Sequence, residues 1–226
     1  MRLMFVGDSM TIGSAGDLTW RYRMWQHLCA NYGRPFRVVG PHHELYDPAT
    51  DAATSLDYGA ADFPEHARAH LAGWGRGWQH LAPLIGDAVR THRADTLLIS
   101  LGLIDLGFYT NAEQTAANVR HFFAGARAAN PRLRAVLLPV IHNVRARDEP
   151  EFGAEVVRFN ELLAKTVADL DQPGSPLLLA SLPEGWDMVW DTHDGTHLSA
   201  RGEHRLAGAF ADAMWQGWEV GGLYGH

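Results

Sequence analysis

What most constrains the fold of this chain is an alternation along its whole length. Short apolar runs of strand length take turns with longer segments of helical period. Five runs read as buried strands: Arg2 to Val6, Phe36 to Val39, Thr96 to Leu101, Leu133 to Val140 and Pro176 to Ala180. Between them, Asp17 stands as the N-cap of a helix striped by Leu18, Tyr22, Trp25, Cys29 and Tyr32, closing near Gly33 and Pro35. Arg21 and Arg23 fall off that stripe, with a weak Asp17–Arg21 pair expected at its start. Further helices are expected around Gln79 to His92 (interrupted by Pro83), over Ala112 to Ala129 and over Glu151 to Leu170. A last one is capped by Ser199 and carries Leu206, Phe210, Met214 and Trp218 in one column. Residues 40 to 75 read as a long loop with one short helical piece at Glu65 to Leu71, and loops of that length are usually functional.

Strands that alternate with helices imply right-handed crossovers and a parallel sheet covered on both faces. The expected fold is therefore α/β, a three-layer, doubly wound sandwich on a five-stranded parallel sheet of flavodoxin-like type. With 226 residues it is expected to form one domain over 1–226. Ligands of such sheets bind outside the carboxyl ends of the strands. Ser9, Gly73, Gly102, the segment after Pro139 and the loop after Ala180 all fall at or near that edge.

Composition narrows the chemistry. A formal charge of −7 argues against a nucleic-acid partner or an anionic membrane surface. No apolar run reaches the ~20 residues of a membrane span. The first strand starts almost at Met1, leaving no room for a leader, so the expected location is cytoplasmic. The one cysteine, Cys29, excludes an internal disulfide and a Cys-x-x-Cys redox pair. Thirteen histidines show no His-Glu-x-x-His or paired Cys/His spacing, so no metal and no cofactor are expected.

Two short segments carry chemistry. Gly7-Asp8-Ser9 breaks the first strand, so a serine stands on a sharp turn with its hydroxyl projecting from the carboxyl end of the sheet. Backbone N–H groups at the turn can hold a negative oxygen there. At the other end, Asp194-Gly195-Thr196-His197 precedes the final helix. A histidine takes a serine proton only when an acceptor on its other nitrogen aims the ring, and an Asp three residues earlier can supply that acceptor. Alone, each segment reads as an ordinary turn; the pair at the two termini of an α/β pattern reads as a nucleophile and its base.

The chain resembles the GDSL or SGNH hydrolase superfamily, through Gly7-Asp8-Ser9-Met10-Thr11-Ile12-Gly13 and through Asp194-Gly195-Thr196-His197-Leu198-Ser199-Ala200-Arg201-Gly202. Phe159-Asn160-Glu161-Leu162-Leu163 is similar to the helix ahead of that family's final strand. The resemblance implies Ser9 as nucleophile, His197 as general acid/base and Asp194 as the group orienting it. Its second-block glycine, an oxyanion donor through the backbone N–H, maps to Gly73, with Gly75 as the competing register. The implied activity is hydrolysis of a small-molecule carboxylic ester or thioester.

One position departs from the pattern. The family's third block is Gly-x-Asn-Asp, whose Asn side chain donates to the oxyanion; here the residues are Gly102-Leu103-Ile104-Asp105. Loss of one such donor typically costs about 10²–10³ in rate. The Ser9 and Gly73 amides can suffice for an activated ester, Asn143 beyond the fourth strand can substitute, or turnover is lost while the pocket is kept. The alternatives to hydrolysis are thus acyl transfer with the same three residues and a ligand-binding protein on the same scaffold. Trp74, Trp78, Trp186 and Trp190 are candidate walls of the substrate site, while His42, His43 and His193 read as solvated and Asp8 and Asp105 as turn braces.

Overall fold

The computed structural model describes residues 1–225. Its centre is a parallel sheet of β1 (Arg2–Gly7), β2 (Arg37–Val38), β6 (Thr96–Ser100), β7 (Arg134–Leu138) and β8 (Leu177–Leu179), in the order β2-β1-β6-β7-β8. These are the five expected strands. The side-chain alternation of a strand divides their residues between two cores. Met4, Val6, Leu97, Ile99, Ala135 and Leu137 face one side, under α3 (Trp78–His92), α4 (Ala112–Ala129) and α6 (Pro150–Leu170). Leu3, Phe5, Leu98, Val136 and Leu138 face the other, under α2 (Trp20–Asn31) and α8 (Ala200–Trp218). Leu3 to Val6 have no solvent exposure at all, as a strand covered on both faces must. Among the described residues no helix is long and apolar enough to cross a membrane.

The segment from 40 to 75 is more ordered than its composition suggests. It holds an antiparallel hairpin, β3 (Leu45–Asp47) and β4 (Ala52–Ser55), then a single 3₁₀ turn at Glu65–Ala67. The expected helical piece ends there, because β5 (Leu71–Ala72) instead pairs with the carboxyl end of β1, Val6 with Leu71 and Gly7 with Ala72. Elements of two to four residues carry too few apolar positions to show a period.

The first long helix starts later than expected, and its buried face is turned partly away from the expected stripe: Tyr22 is buried and Leu18, Trp25 and Tyr32 pack at the edge of the core, but Cys29 does not. Its N-cap is Thr19, not Asp17, whose carboxylate accepts from the Ser14 N–H (2.6 Å). Cys29 is exposed, and the buried face is set by Trp20, stacked on Phe210 (4.7 Å) and edge-on to Phe5 (5.1 Å). Arg21 is fully buried rather than paired with Asp17. Its guanidinium donates to the carbonyls of Thr11, Ile12 and Arg68 and to the Tyr58 hydroxyl. Charge-assisted bonds to main-chain carbonyls are what make a buried arginine tolerable here. Helix α3 passes through Pro83 without a break, since its buried Trp78, Leu81, Ala82 and Ile85 hold it against the sheet. Helices α4, α6 and α8 lie within a residue of expectation, with Ser199 capping α8 through the Gly202 N–H, whereas the short helices α5 (Val144–Asp148) and α7 (Met188–Asp191) have no expected counterpart.

Candidate active site

The serine turn follows from three residues. Gly7 ends β1 where a Cβ would lie 2.0 Å from the Thr11 hydroxyl and 2.8 Å from the Ser100 carbonyl, so no side chain fits. Asp8 then caps the one-turn helix α1 (Ser9–Ile12), accepting from the Met10 N–H at 3.1 Å. Buried Arg21 ties down the same turn through the Thr11 and Ile12 carbonyls. Burial pushes the Asp8 carboxyl up to about 7, opposed by the Met10 N–H and reinforced by the negative Asp105. Asp105 is raised by burial as well, while the Trp78 and Gln79 N–H groups at the start of α3 pull it back. Both aspartates brace turns, as their positions suggest.

The histidine arrives from the opposite end of the chain. Gly195, at φ +87°, turns the backbone between Asp194 and Thr196, and its carbonyl accepts from the Val144 N–H (2.8 Å). Asp194 Oδ1 accepts from the N–H groups of Thr196 (2.9 Å) and His197 (2.7 Å), leaving Oδ2 for His197 Nδ1 at 2.6 Å. Burial works to raise the Asp194 carboxyl, but the bonds from the His197 ring and the two N–H groups win and hold it at about 2. His197 Nε2 lies 3.1 Å from Ser9 Oγ. Ser9, His197 and Asp194 therefore form one line of hydrogen bonds, spanning 188 positions of sequence at its serine end.

Aromatic rings extend that line sideways. Trp74 stacks on the His197 ring (4.7 Å, 18°) and Tyr46 stacks on the far face of Trp74 (4.0 Å, 15°). The Tyr46 hydroxyl is anchored on Asp51 (2.6 Å). Tyr46 was invisible in the sequence because it sits on the short hairpin; only Trp74, in its glycine-dense setting, gave a signal. Of the other tryptophans proposed as site walls, Trp78 is buried edge-on to Phe122. Trp186 packs on the core beside α8, and Trp190 is exposed with its carbonyl accepting from Ser199. None of these three lines a cavity containing Ser9.

A cavity of ≈ 430 Å³ opens beside Ser9 and His197, lined among others by Trp74, Gly75, Ile104, Asn143 and Thr196. Gly73 lies outside it, and its N–H is already donated to the Gly7 carbonyl (3.2 Å), because the β5 ladder continues one residue beyond Ala72. The second register, Gly75, is the one on the cavity. Asn143 also reaches this cavity, but as the N-cap of α5 (Val144–Asp148): its Oδ1 accepts from Ala146 N–H and its Nδ2 donates to Thr196 Oγ1 (3.1 Å). Ile104 is half-buried on the same wall. Asn160 clamps the Val140 backbone with two bonds, 2.8 Å to its N–H and 2.9 Å from its own amide to the carbonyl.

His193, exposed as expected, presents a ligand atom within 4.8 Å of those of Asp194 and His197. A cation held there would compete with the Asp194–His197 bond.

The profile of the GDSL-like lipase/acylhydrolase family matches residues 5–205. Comparison with curated protein sequences returns no match. Among solved structures, a carbohydrate esterase of family 3 from Talaromyces cellulolyticus is similar at TM-score 0.74 and 19% identity, over 96% of this chain and 97% of that one. An acetyl esterase variant crystallised with an acetate ion gives 0.73 and 18%, over 96% and 97%. A catalytic mutant of an acetylxylan esterase from Geobacillus stearothermophilus gives 0.66 and 14%, over 94% and 93%. At these identities the likeness is one of fold.

Proposed function

From the premise that this chain belongs to the GDSL-like lipase/acylhydrolase family and is an ester hydrolase, we propose that Ser9 is its nucleophile, His197 its general acid/base and Asp194 the residue that aims His197. The observation that carries this reading is the pair of contacts on one imidazole, 3.1 Å to Ser9 Oγ and 2.6 Å to Asp194 Oδ2. The substrate is a small-molecule carboxylic ester or thioester.

In the first half-reaction the Ser9 Oγ–carbon bond forms as His197 Nε2 takes the hydroxyl proton. The tetrahedral intermediate collapses, the bond to the leaving oxygen or sulfur breaks, and His197 returns the proton to it. Water then attacks the acyl carbon as the same nitrogen takes its proton; the bond to Ser9 Oγ breaks, His197 returns the proton to Oγ, and the acid leaves. Asp194 stays ionised throughout and stabilises the imidazolium.

The oxyanion is held by backbone N–H groups. Ser9 opens α1, so its N–H has no intrahelical acceptor. Gly75 lines the cavity and its N–H has no acceptor among the described residues, which supports it as the second donor in place of Gly73. Asn143 retains one amide N–H beyond the one given to Thr196 and stands as the third. Asn143→Ser keeps an oxygen for the α5 cap while removing that N–H, and a fall of about tenfold or more in kcat identifies it as a donor.

Ser9→Ala is the primary test: p-nitrophenyl acetate turnover is expected to drop by about 10⁴-fold or more, and a fluorophosphonate is expected to label Ser9 in the parent protein. Undiminished turnover by Ser9→Ala rejects the mechanism. Ile104 favours one second reading, a ligand-binding protein without turnover, because it removes a side-chain donor from the cavity. Absent labelling of Ser9 with retained ligand binding selects that reading.

A further inference from the structure

The cavity beside Ser9 differs in chemistry from a site for acetylated sugar. Its apolar walls are Leu103, Ile104, Phe108 and Phe152, with Trp74 and Tyr109 beside them. Leu103 and Phe152 are buried, whereas Phe108 stands 73% exposed at the mouth. Two polar side chains on the same wall, Asn143 and Arg145, spend most of their hydrogen bonds on the protein itself, Asn143 keeping the one amide N–H proposed for the oxyanion. Asn143 bonds the Ala146 N–H and Thr196. Arg145 donates to the Gly107 carbonyl (2.7 Å) and Glu149 (2.9 Å), with its guanidinium lying over the Phe152 ring (4.4 Å). A sugar needs unspent donors and acceptors for its hydroxyls, since a polar group buried without partners is costly. A hydrocarbon needs only dry walls. Ile104 thus has a positive role: the side chain that supplies no hydrogen bond to the oxyanion supplies an apolar wall next to Ser9.

We infer that the ester carries an apolar chain or ring larger than acetyl, seated against Leu103, Ile104, Phe108 and Phe152. This rests on the reading of Ser9 as nucleophile and adds the substrate class to it. Each methylene drawn into such a cavity is worth up to about fourfold in kcat/KM.

Two panels on the intact protein test it. With p-nitrophenyl acetate, butyrate and hexanoate, kcat/KM is expected to rise by at least about 15-fold from the first to the last. A matching panel of acetate esters of ethanol, butanol and hexanol asks whether the group lies on the alcohol side; a rise in either panel supports the inference. Ile104→Asn and Phe108→Ala are each expected to flatten the rising panel by about threefold or more. Equal or falling rates in both panels, or peracetylated xylose preferred over p-nitrophenyl hexanoate, overturn it.

Ethyl and octyl fluorophosphonates separate this from the underlying mechanism. Labelling of Ser9 by both, with the octyl reagent at least about tenfold faster, is the expected result. Labelling at equal rates overturns the apolar-group inference and leaves the nucleophile standing. No labelling by either, with no ester hydrolysed, overturns both.

Discussion

The two halves of the site are built on different physical terms. Ser9 sits on a turn buried in the molecule, between the unexposed strand residues Leu3 to Val6 and an arginine sealed from solvent. The Asp194–His197 segment lies near the surface, with the Asp194 side chain 46% exposed. It is held by short-range bonds: Asp194 to two N–H groups, Thr192 Oγ1 to the Gly195 N–H, Val144 N–H to the Gly195 carbonyl. The buried Asp191, which accepts from Arg201 and Arg205, ties this loop to α8. Ser9, the proposed nucleophile, is thus positioned by the core, and His197, its proposed base, by a local hydrogen-bonded turn. Substitutions near Ser9 should therefore register as changes in stability, and those near His197 as changes in rate with the fold intact.

The largest expected effect falls on the exposed half. Asp194→Asn should lower kcat by about 10³–10⁴-fold while leaving the circular-dichroism spectrum and thermal midpoint close to those of the parent; loss of folding instead would erase the distinction between the halves. The next falls on the buried half and appears in stability against pH. The Asp8 carboxyl is raised from 3.8 to about 7, so its folded form holds a proton that the unfolded chain has released. Its contribution is complete below pH ~3.8 and is lost as pH climbs through 7. Asp8→Asn removes that loss, so the variant should gain on the parent by up to about 4 kcal/mol between pH 4 and pH 8 in urea unfolding. A constant difference across that range contradicts the buried-half account. Glu203, raised by burial from 4.5 to about 7 at the edge of the same site, adds a second contribution of the same sign.

A smaller effect sharpens the comparison at its junction. Trp74 packs on the His197 ring, so Trp74→Leu is expected to reduce kcat by about tenfold through loss of ring alignment and of stabilisation of the imidazolium. Trp74→Phe should restore most of it. A change confined to KM would make Trp74 a substrate wall instead of a positioning residue. Tyr46→Leu, one ring further out, should cost about twofold in kcat.

The sheet was legible because a strand buried on both faces must be written in continuous apolar residues, as in Leu3 to Val6 and Thr96 to Leu101. The α2 stripe was misread because Trp20 and Arg21 are placed by partners far away in sequence: Phe210 for the ring, and the Arg68 carbonyl and Tyr58 hydroxyl for the guanidinium. A polar residue satisfied by main-chain carbonyls leaves no periodic trace. That the Gly73 N–H is already donated was equally out of reach, since it turns on whether β5 ends at Ala72 or gives one more N–H to β1. Trp78 and Trp74, four residues apart in one glycine-rich stretch, look alike in sequence. One is core, the other caps the histidine.

The order of apolar and amphipathic segments and the two short motifs at the termini were properties of the sequence alone, because strand burial, helix period and local Asp-to-His spacing act over a few residues. The meeting of Ser9 with His197, the stack of Tyr46 and Trp74 behind that imidazole, and the apolar wall led by Ile104 were decided only by the tertiary structure. Each depends on side chains brought together by sheet order and loop path, which are set by the packing of the whole chain and not by any one stretch of it.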